Sequence, residues 1–162
     1  DLFRNDKELA GRAKRVGDRL FELTEFLSHF FGTDAIAGKR DGYATYHKCC
    51  HLLREIGVDE QPIEMLVNIE GLEFSPLERA DVCCGFGGAF SVKMPDISSA
   101  ILDEKLDFIE ANGSSTVVAA DTGCVYQMQG GLRRRGSDVQ VVHIAQVLAE
   151  SIRNRSTLEP KR

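Results

Sequence analysis

Long apolar runs are missing from this 162-residue chain. None approaches the ~20 residues that a membrane-crossing helix needs, so no membrane span is expected. A surplus of positive charge is missing too. Asp and Glu number 25 against 20 Lys and Arg, for a formal net charge of -5. An acidic surface tracks a phosphate backbone poorly, so nucleic acid is not an expected partner. The opening Asp1-Leu2-Phe3-Arg4-Asn5-Asp6-Lys7 lacks the basic start, apolar stretch and small-residue cleavage site of an export signal. A cytoplasmic location is therefore expected. The opening also lacks Met, which points to a piece of a longer protein.

Hydrophobic residues at 43% and charged residues at 28% have the balance of a soluble globular chain. That balance excludes a disordered tail, a collagen-like repeat and a disulfide miniprotein, and the length fits a single domain over residues 1–162. The five cysteines are placed as Cys49-Cys50, Cys83-Cys84 and Cys124. An odd number with two adjacent pairs makes a poor disulfide framework, because neighbouring cysteines bridge only with strain. Reduced thiols grouped in this way are metal-ligand candidates.

Periodicity organises the rest. Leu9, Ala13, Val16, Leu20, Leu23, Leu27 and Phe30 recur on one face, which predicts a long amphipathic helix over 7–31, stopped by Gly32. Phe21, Phe26 and Phe31 broaden the stripe, which favours packing on the same domain over a coiled-coil seam. Strands are expected at Tyr43–His47, Asp81–Cys83, Thr116–Ala120 and Val139–Val142. Helical runs are expected at Leu52–Ile56 before Gly57, from Pro62 to Ile69, from Pro95 to Asn112-Gly113, over 124–134, and over His143–Ile152. A charged, frayed tail is expected at 153–162. Strands alternating with helices predict an α/β fold: a mainly parallel sheet of about four strands with helices on both faces.

In an open parallel sheet the carboxyl ends of the strands share one rim, where ligand sites form. On this reading all three cysteine groups follow strands and converge there. Soft thiolates select an iron–sulfur cluster or zinc over oxygen-loving cations, and crowded thiolates repel unless a cation neutralises them. Cys50, Cys83, Cys84 and Cys124 are the primary candidates. Cys49 is open, because adjacent residues on an extended chain point to opposite faces. Gly85, Gly87 and Gly88 would let backbone amides approach inorganic sulfide. His51 is a candidate ligand or proton carrier, or an ordinary helix-start residue. His47 is expected to be structural and His143 to make local backbone contacts. Asp121-Thr122-Gly123 copies an aspartic-protease triplet but lacks the second carboxylate, and a turn before Cys124 explains it. Arg133-Arg134-Arg135 reads as a solvated helix end.

Four segments carry a likeness: His47-Lys48-Cys49-Cys50-His51, Cys83-Cys84-Gly85-Phe86-Gly87-Gly88-Ala89-Phe90-Ser91-Val92-Lys93, Asp121-Thr122-Gly123-Cys124 and His143-Ile144-Ala145-Gln146-Val147-Leu148. Together they resemble the CCG family of cysteine-rich domains, found in iron–sulfur oxidoreductase subunits such as those of heterodisulfide reductase and glycolate oxidase. The nearest likeness is to its lactate-utilisation branch. The resemblance implies the second of two such repeats, preceded by a linking helix. It implies metal ligation by Cys50, Cys83, Cys84 and Cys124, with Cys49 and His51 as further candidates, and either an iron–sulfur cluster of the 4Fe–4S type or zinc. It also implies electron transfer in a complex that oxidises L-lactate or glycolate, with other subunits and the N-terminal half of the same protein as partners. The fuller motif ends in Cys-x-x-Cys, whereas Gln127 stands here. An unfilled position would suit a labile cluster, zinc, or a site emptied by aerobic purification. Two other classes stay open: a zinc-stabilised interaction domain, and a thiol enzyme with Cys50 or Cys84 as nucleophile and His51 as base.

Overall fold

Asp6 starts the first helix by accepting hydrogen bonds from the backbone N–H groups of Glu8 and Leu9, giving α1 over Lys7–Gly17. The second helix, α2 over Leu23–Phe31, has its own start. The Glu22 carboxylate accepts from Thr24 and Glu25 while the Glu25 side chain accepts from the Glu22 N–H, a capping box. The single helix expected over 7–31 is therefore two helices, because this cap at Glu22 nucleates a fresh turn after Gly17 ends the first. α1 buries none of its residues, so packing on the domain is confined to α2, which buries Thr24 and sets Leu27 against the core. The computed structural model of the protein describes residues 2–158.

β1 (Lys39–His47) lies at the centre of the sheet, between β2 (Glu70–Phe74) and β3 (Thr116–Ala119). β4 (Gln140–His143) lies beyond β3, so the order is β2-β1-β3-β4. All pairings are parallel, with His47 opposite Ala119 and Ala119 opposite His143. The chain leaves β1 through a helical turn at Cys50, a π-helical turn at Leu52–Ile56 and a left-handed Gly57. It then enters α3 (Gln61–Val67) and β2. A long irregular loop carrying Cys83 and Cys84 follows, then α4 (Ala89–Lys93) and α5 (Pro95–Asn112). α6 (Thr122–Arg135) joins β3 to β4, and α7 (Ile144–Leu158) closes the described chain. Helical structure thus extends beyond Arg153 to Leu158; residues 159–162 of the expected frayed tail lie outside the described residues.

The expected strand Asp81–Cys83 does not form. Arg79 adopts a left-handed backbone with φ of 51°, and the Val82 N–H donates back to the Arg79 carbonyl, so the chain turns where a strand would have to run straight. The strand in this part of the sequence is Glu70–Phe74 instead.

Each face of the sheet has its own core. Val117, Ala119 and Val141 meet Leu102, Leu106 and Ile109 of α5 and Met128 and Leu132 of α6. Ala44, Tyr46 and Val118 meet Met65 and Leu66 of α3 and Ile144, Val147 and Leu148 of α7. Burial of one such side chain contributes roughly 1.5–3 kcal/mol. Arg135 ties α6 to α5 through Asp103, Asp107 and Glu110 at 3.0, 2.7 and 2.9 Å, so the end of the arginine run has its acidic partners within the chain. From β1 the chain moves to one side to reach β2, then crosses to the other side to reach β3. The crevice at the carboxyl ends of β1 and β3 is the topological switch point where open α/β sheets place ligands.

Candidate metal centre

Side chains of β1 alternate between the two faces. Ala44 and Tyr46 join the α3/α7 core. His47 therefore faces the α5/α6 side, at the last position of the strand. Its imidazole is buried, and neither Nδ1 nor Nε2 has a hydrogen-bond partner among the described residues. One ring nitrogen and the sulfurs of Cys84 and Cys124 all lie within 4.8 Å of one another. The sulfurs of Cys84 and Cys124 are 3.1 Å apart. Cys49, two residues beyond His47, is buried on the same side, packed with Cys84 and Cys124, and lies beside Cys124. His47, Cys84 and Cys124 form the inner group, and Cys49, whose thiol donates to the His47 carbonyl at 3.8 Å, packs against it as a third thiol.

Local structure explains how each donor arrives. Asp121 caps α6 by accepting from the Cys124 N–H at 2.9 Å, so the Asp-Thr-Gly triplet is a helix start that fixes Cys124 in the first turn. Cys84 rides on a loop held from its other side. Ser98 donates to the Gly85 carbonyl at 2.8 Å, and Gln127 donates to the Ser98 hydroxyl at 3.2 Å. Gln127 thereby ties α6 through α5 to the cysteine loop. Ser98→Ala leaves the Gly85 carbonyl and the Gln127 amide without this partner. It is expected to cost about 1–2 kcal/mol in thermal unfolding of the metal-free protein. Gln127→Ala, which removes only the outer link, should cost less.

The thiols share protons unevenly. Cys124 has its pKa raised by the neighbouring thiols of Cys49 and Cys84 and by burial. Cys84 is pulled down by its bond with Cys124 and, more weakly, by the Phe86 N–H, against the opposing effect of burial. Cys49 is pulled down by Cys124 and by the Ala120 N–H, again against burial. Two of these three sulfurs are thus held toward the thiolate form that binds metal. Burial pushes His47 down, which keeps the imidazole neutral and able to ligate.

Cys50 and Cys83 form an outer pair. Both are half-buried, and their side chains lie next to each other at the rim. Burial pushes the Cys83 thiol up, although the Gly85 N–H donates to its sulfur at 3.3 Å. His51 is half-buried, with Nε2 at 3.9 Å from an Asp121 oxygen. Gly85, Gly87 and Gly88 all have positive φ; Gly85 is buried and the other two are exposed. His143 accepts from the Ala145 N–H through Nδ1, a local backbone contact. Cys83 and Cys84 sit in the loop after β2 rather than on a strand end.

The sequence alone assigns His47 a structural role and leaves Cys49 open, whereas the fold puts His47 in the inner group with Cys49 packed against it. The signal was present: residues 45, 47 and 49 keep period two out of β1, so two donors share a face. Lys105 was also missed. It is fully buried, with its ammonium donating to the carbonyls of Arg79 at 2.7 Å and Ala80 at 3.2 Å, and burial pulls its pKa down to about 8. Its trace in the sequence is a lysine inside the apolar stripe of Leu102, Leu106 and Ile109.

Residues 44–129 match the cysteine-rich domain family known as CCG. The chain belongs to that family. Curated relatives extend the match beyond the domain. The chain is 43% identical over 147 residues to lactate utilization protein A of Geobacillus sp. (strain WCH70), covering 91% of this chain and 62% of the relative. It is 40% identical over 148 residues to lactate utilization protein A of Lysinibacillus sphaericus (strain C3-41), covering 91% and 65%. The chain thus spans a little under two thirds of the length of these relatives. Among the described residues no helix is long and apolar enough to cross a membrane.

The donor set fits a thiophilic metal. A buried imidazole with two unpartnered nitrogens beside three packed thiols is an arrangement that an ion of zinc or iron satisfies and a hard cation does not.

Proposed function

We propose that this chain is the iron–sulfur-binding, electron-transferring domain of a cytoplasmic system that oxidises L-lactate, or glycolate by analogy. In this reading it works with other subunits and with the remainder of its own longer chain. Ligands are drawn from Cys50, Cys83, Cys84 and Cys124, with Cys49 and His47 at hand. When bound, the cluster supplies one-electron acceptance and release. The cysteines would hold it, Leu102 and Met128, packed with Cys49, Cys84 and Cys124, would keep water from the inner part of the crevice, and Cys50 and Cys83 stand at its half-buried rim. One observation carries the reading. A single tetrahedral ion uses about four donors, whereas five thiols and an imidazole gather at this crevice, and that surplus suits a larger inorganic core. The names of the relatives supply lactate.

Anaerobic reconstitution of the full-length protein with iron and sulfide tests it. The expected result is broad visible absorption that bleaches on reduction, with iron and sulfide bound in comparable amounts. Colourless protein with one zinc per chain and no redox response would overturn it. A specific observation favours that second reading. His47, Cys84 and Cys124 place their ligand atoms within 4.8 Å of one another, and Cys49 packed beside them would complete a Cys3His set, the composition of closed structural zinc sites.

A further inference from the structure

Lys105 occupies a place where a lysine is costly. It faces the core from α5, fully buried beside Leu102 and Leu106. Taking an ammonium out of water without a counter-charge carries a large desolvation penalty. Among the described residues Lys105 makes no ion pair; its ammonium meets only the carbonyls of Arg79 and Ala80. The groups acting on its charge through space are Asp81, Cys84 and Cys83, which favour the cation, and Arg79, which opposes it. The carbonyl it grips most closely belongs to Arg79, the one non-glycine residue with positive φ among the described residues. Lys105 thus sits beneath the strained turn that delivers Cys83 and Cys84.

Charge arithmetic at the neighbouring site gives this cation a purpose. Three thiolates and a neutral imidazole around a divalent ion leave one negative charge, and thiolate-bound iron–sulfur cores are anionic as well. We infer that Lys105 is a positioning residue for the metal centre, pinning the Arg79–Cys84 turn from below and supplying the positive charge that a thiolate-held metal leaves unmatched. The inference rests on the metal-binding reading above.

The test separates charge from structure. Lys105→Gln keeps an N–H donor for the Arg79 carbonyl but removes the charge; Lys105→Arg keeps the charge with a changed shape; Lys105→Met removes both. Each full-length variant is titrated with zinc against a chromophoric chelator at low ionic strength, and each metal-free variant is melted. Zinc affinity should follow charge: about tenfold weaker for Lys105→Gln and Lys105→Met, and within about threefold of the parent for Lys105→Arg, whatever its melting temperature. High salt should leave most of the gap in place, because buried charges are poorly screened. Affinity that follows melting temperature across the three variants, or a Lys105→Gln protein that binds as tightly as the parent, would overturn the inference alone. Where the parent takes up no zinc, bound iron after anaerobic reconstitution is compared across the same variants with the same expected order, and a parent that takes up neither metal would overturn the metal-binding reading with it.

Discussion

Cys124→Ser is expected to abolish metal retention, with an affinity loss of roughly 100-fold or more, because its thiol neighbours those of Cys49 and Cys84. A serine hydroxyl is a hard, weakly acidic donor, and it cannot replace a thiolate toward zinc or iron. Cys84→Ser should match it, since these two sulfurs lie 3.1 Å apart. The rest of the series decides between the two metal readings. A cluster spread over the crevice depends on the rim, so Cys50→Ser and Cys83→Ser should also lose iron while Cys49→Ser and His47→Leu lose less. A single ion depends on the inner group, and the order reverses. Metal analysis of the six variants, together with zinc competition, reads out the order. Retention by Cys124→Ser equal to that of the parent would remove the site altogether.

Gly85→Ala is the second large effect. Gly85 has φ of 81°, and a Cβ there would meet the Ser98 carbonyl oxygen at 2.4 Å and the Leu102 nitrogen at 3.2 Å. Both obstacles are backbone of α5, which has no rotamer to yield. The loop must shift, breaking the Ser98 bond to the Gly85 carbonyl and the Gly85 N–H contact to Cys83. Left-handed strain plus overpacking should cost roughly 2–5 kcal/mol, lowering Tm by about 10 °C, and displace Cys84 enough to weaken metal binding. Gly88→Ala is the control. Its φ is 59° and its ψ -116°, a backbone that favours glycine, but nothing lies within 4 Å of the added atom, so strain of about 1–3 kcal/mol without overpacking is expected, and metal binding should be weakened less than by Gly85→Ala. Equal melting temperatures for the two variants would contradict the packing argument.

How much of this was readable beforehand differs by element. The strands Thr116–Ala119 and Gln140–His143 and the helix from Pro95 announce themselves, because a continuous apolar run between turn residues and a Pro start with a Gly stop have few other solutions. The break between α1 and α2 was hidden, since the apolar stripe continues across it; only the Glu22–Glu25 spacing marks the new start. β2 was hidden for a different reason. Glu70–Phe74 is short and carries Glu70, Gly71 and Glu73, all poor strand formers. It is a strand because β1 pairs with it, a tertiary cause that local pattern does not carry. At the site, the position of Cys124 just past β3 follows from parallel topology, whereas Cys84 meets it from an irregular loop, because the strand expected at Asp81–Cys83 does not form. The division into inner and outer groups does not follow from topology either, because it depends on where that loop turns. His47 illustrates the limit. A histidine at a strand end has ordinary structural uses, and only the absence of partners for both its nitrogens sets it apart.

The donors come from three stretches, near residues 47–50, 83–84 and 124, that meet only because β1 and β3 lie side by side. During synthesis, the ribosome must release the chain well past Cys124 before the last sulfur can join the others. Any metal captured earlier would be held by a fragment with a different set of donors. On the metal-binding reading, the complete donor set exists only once β1 and β3 have paired.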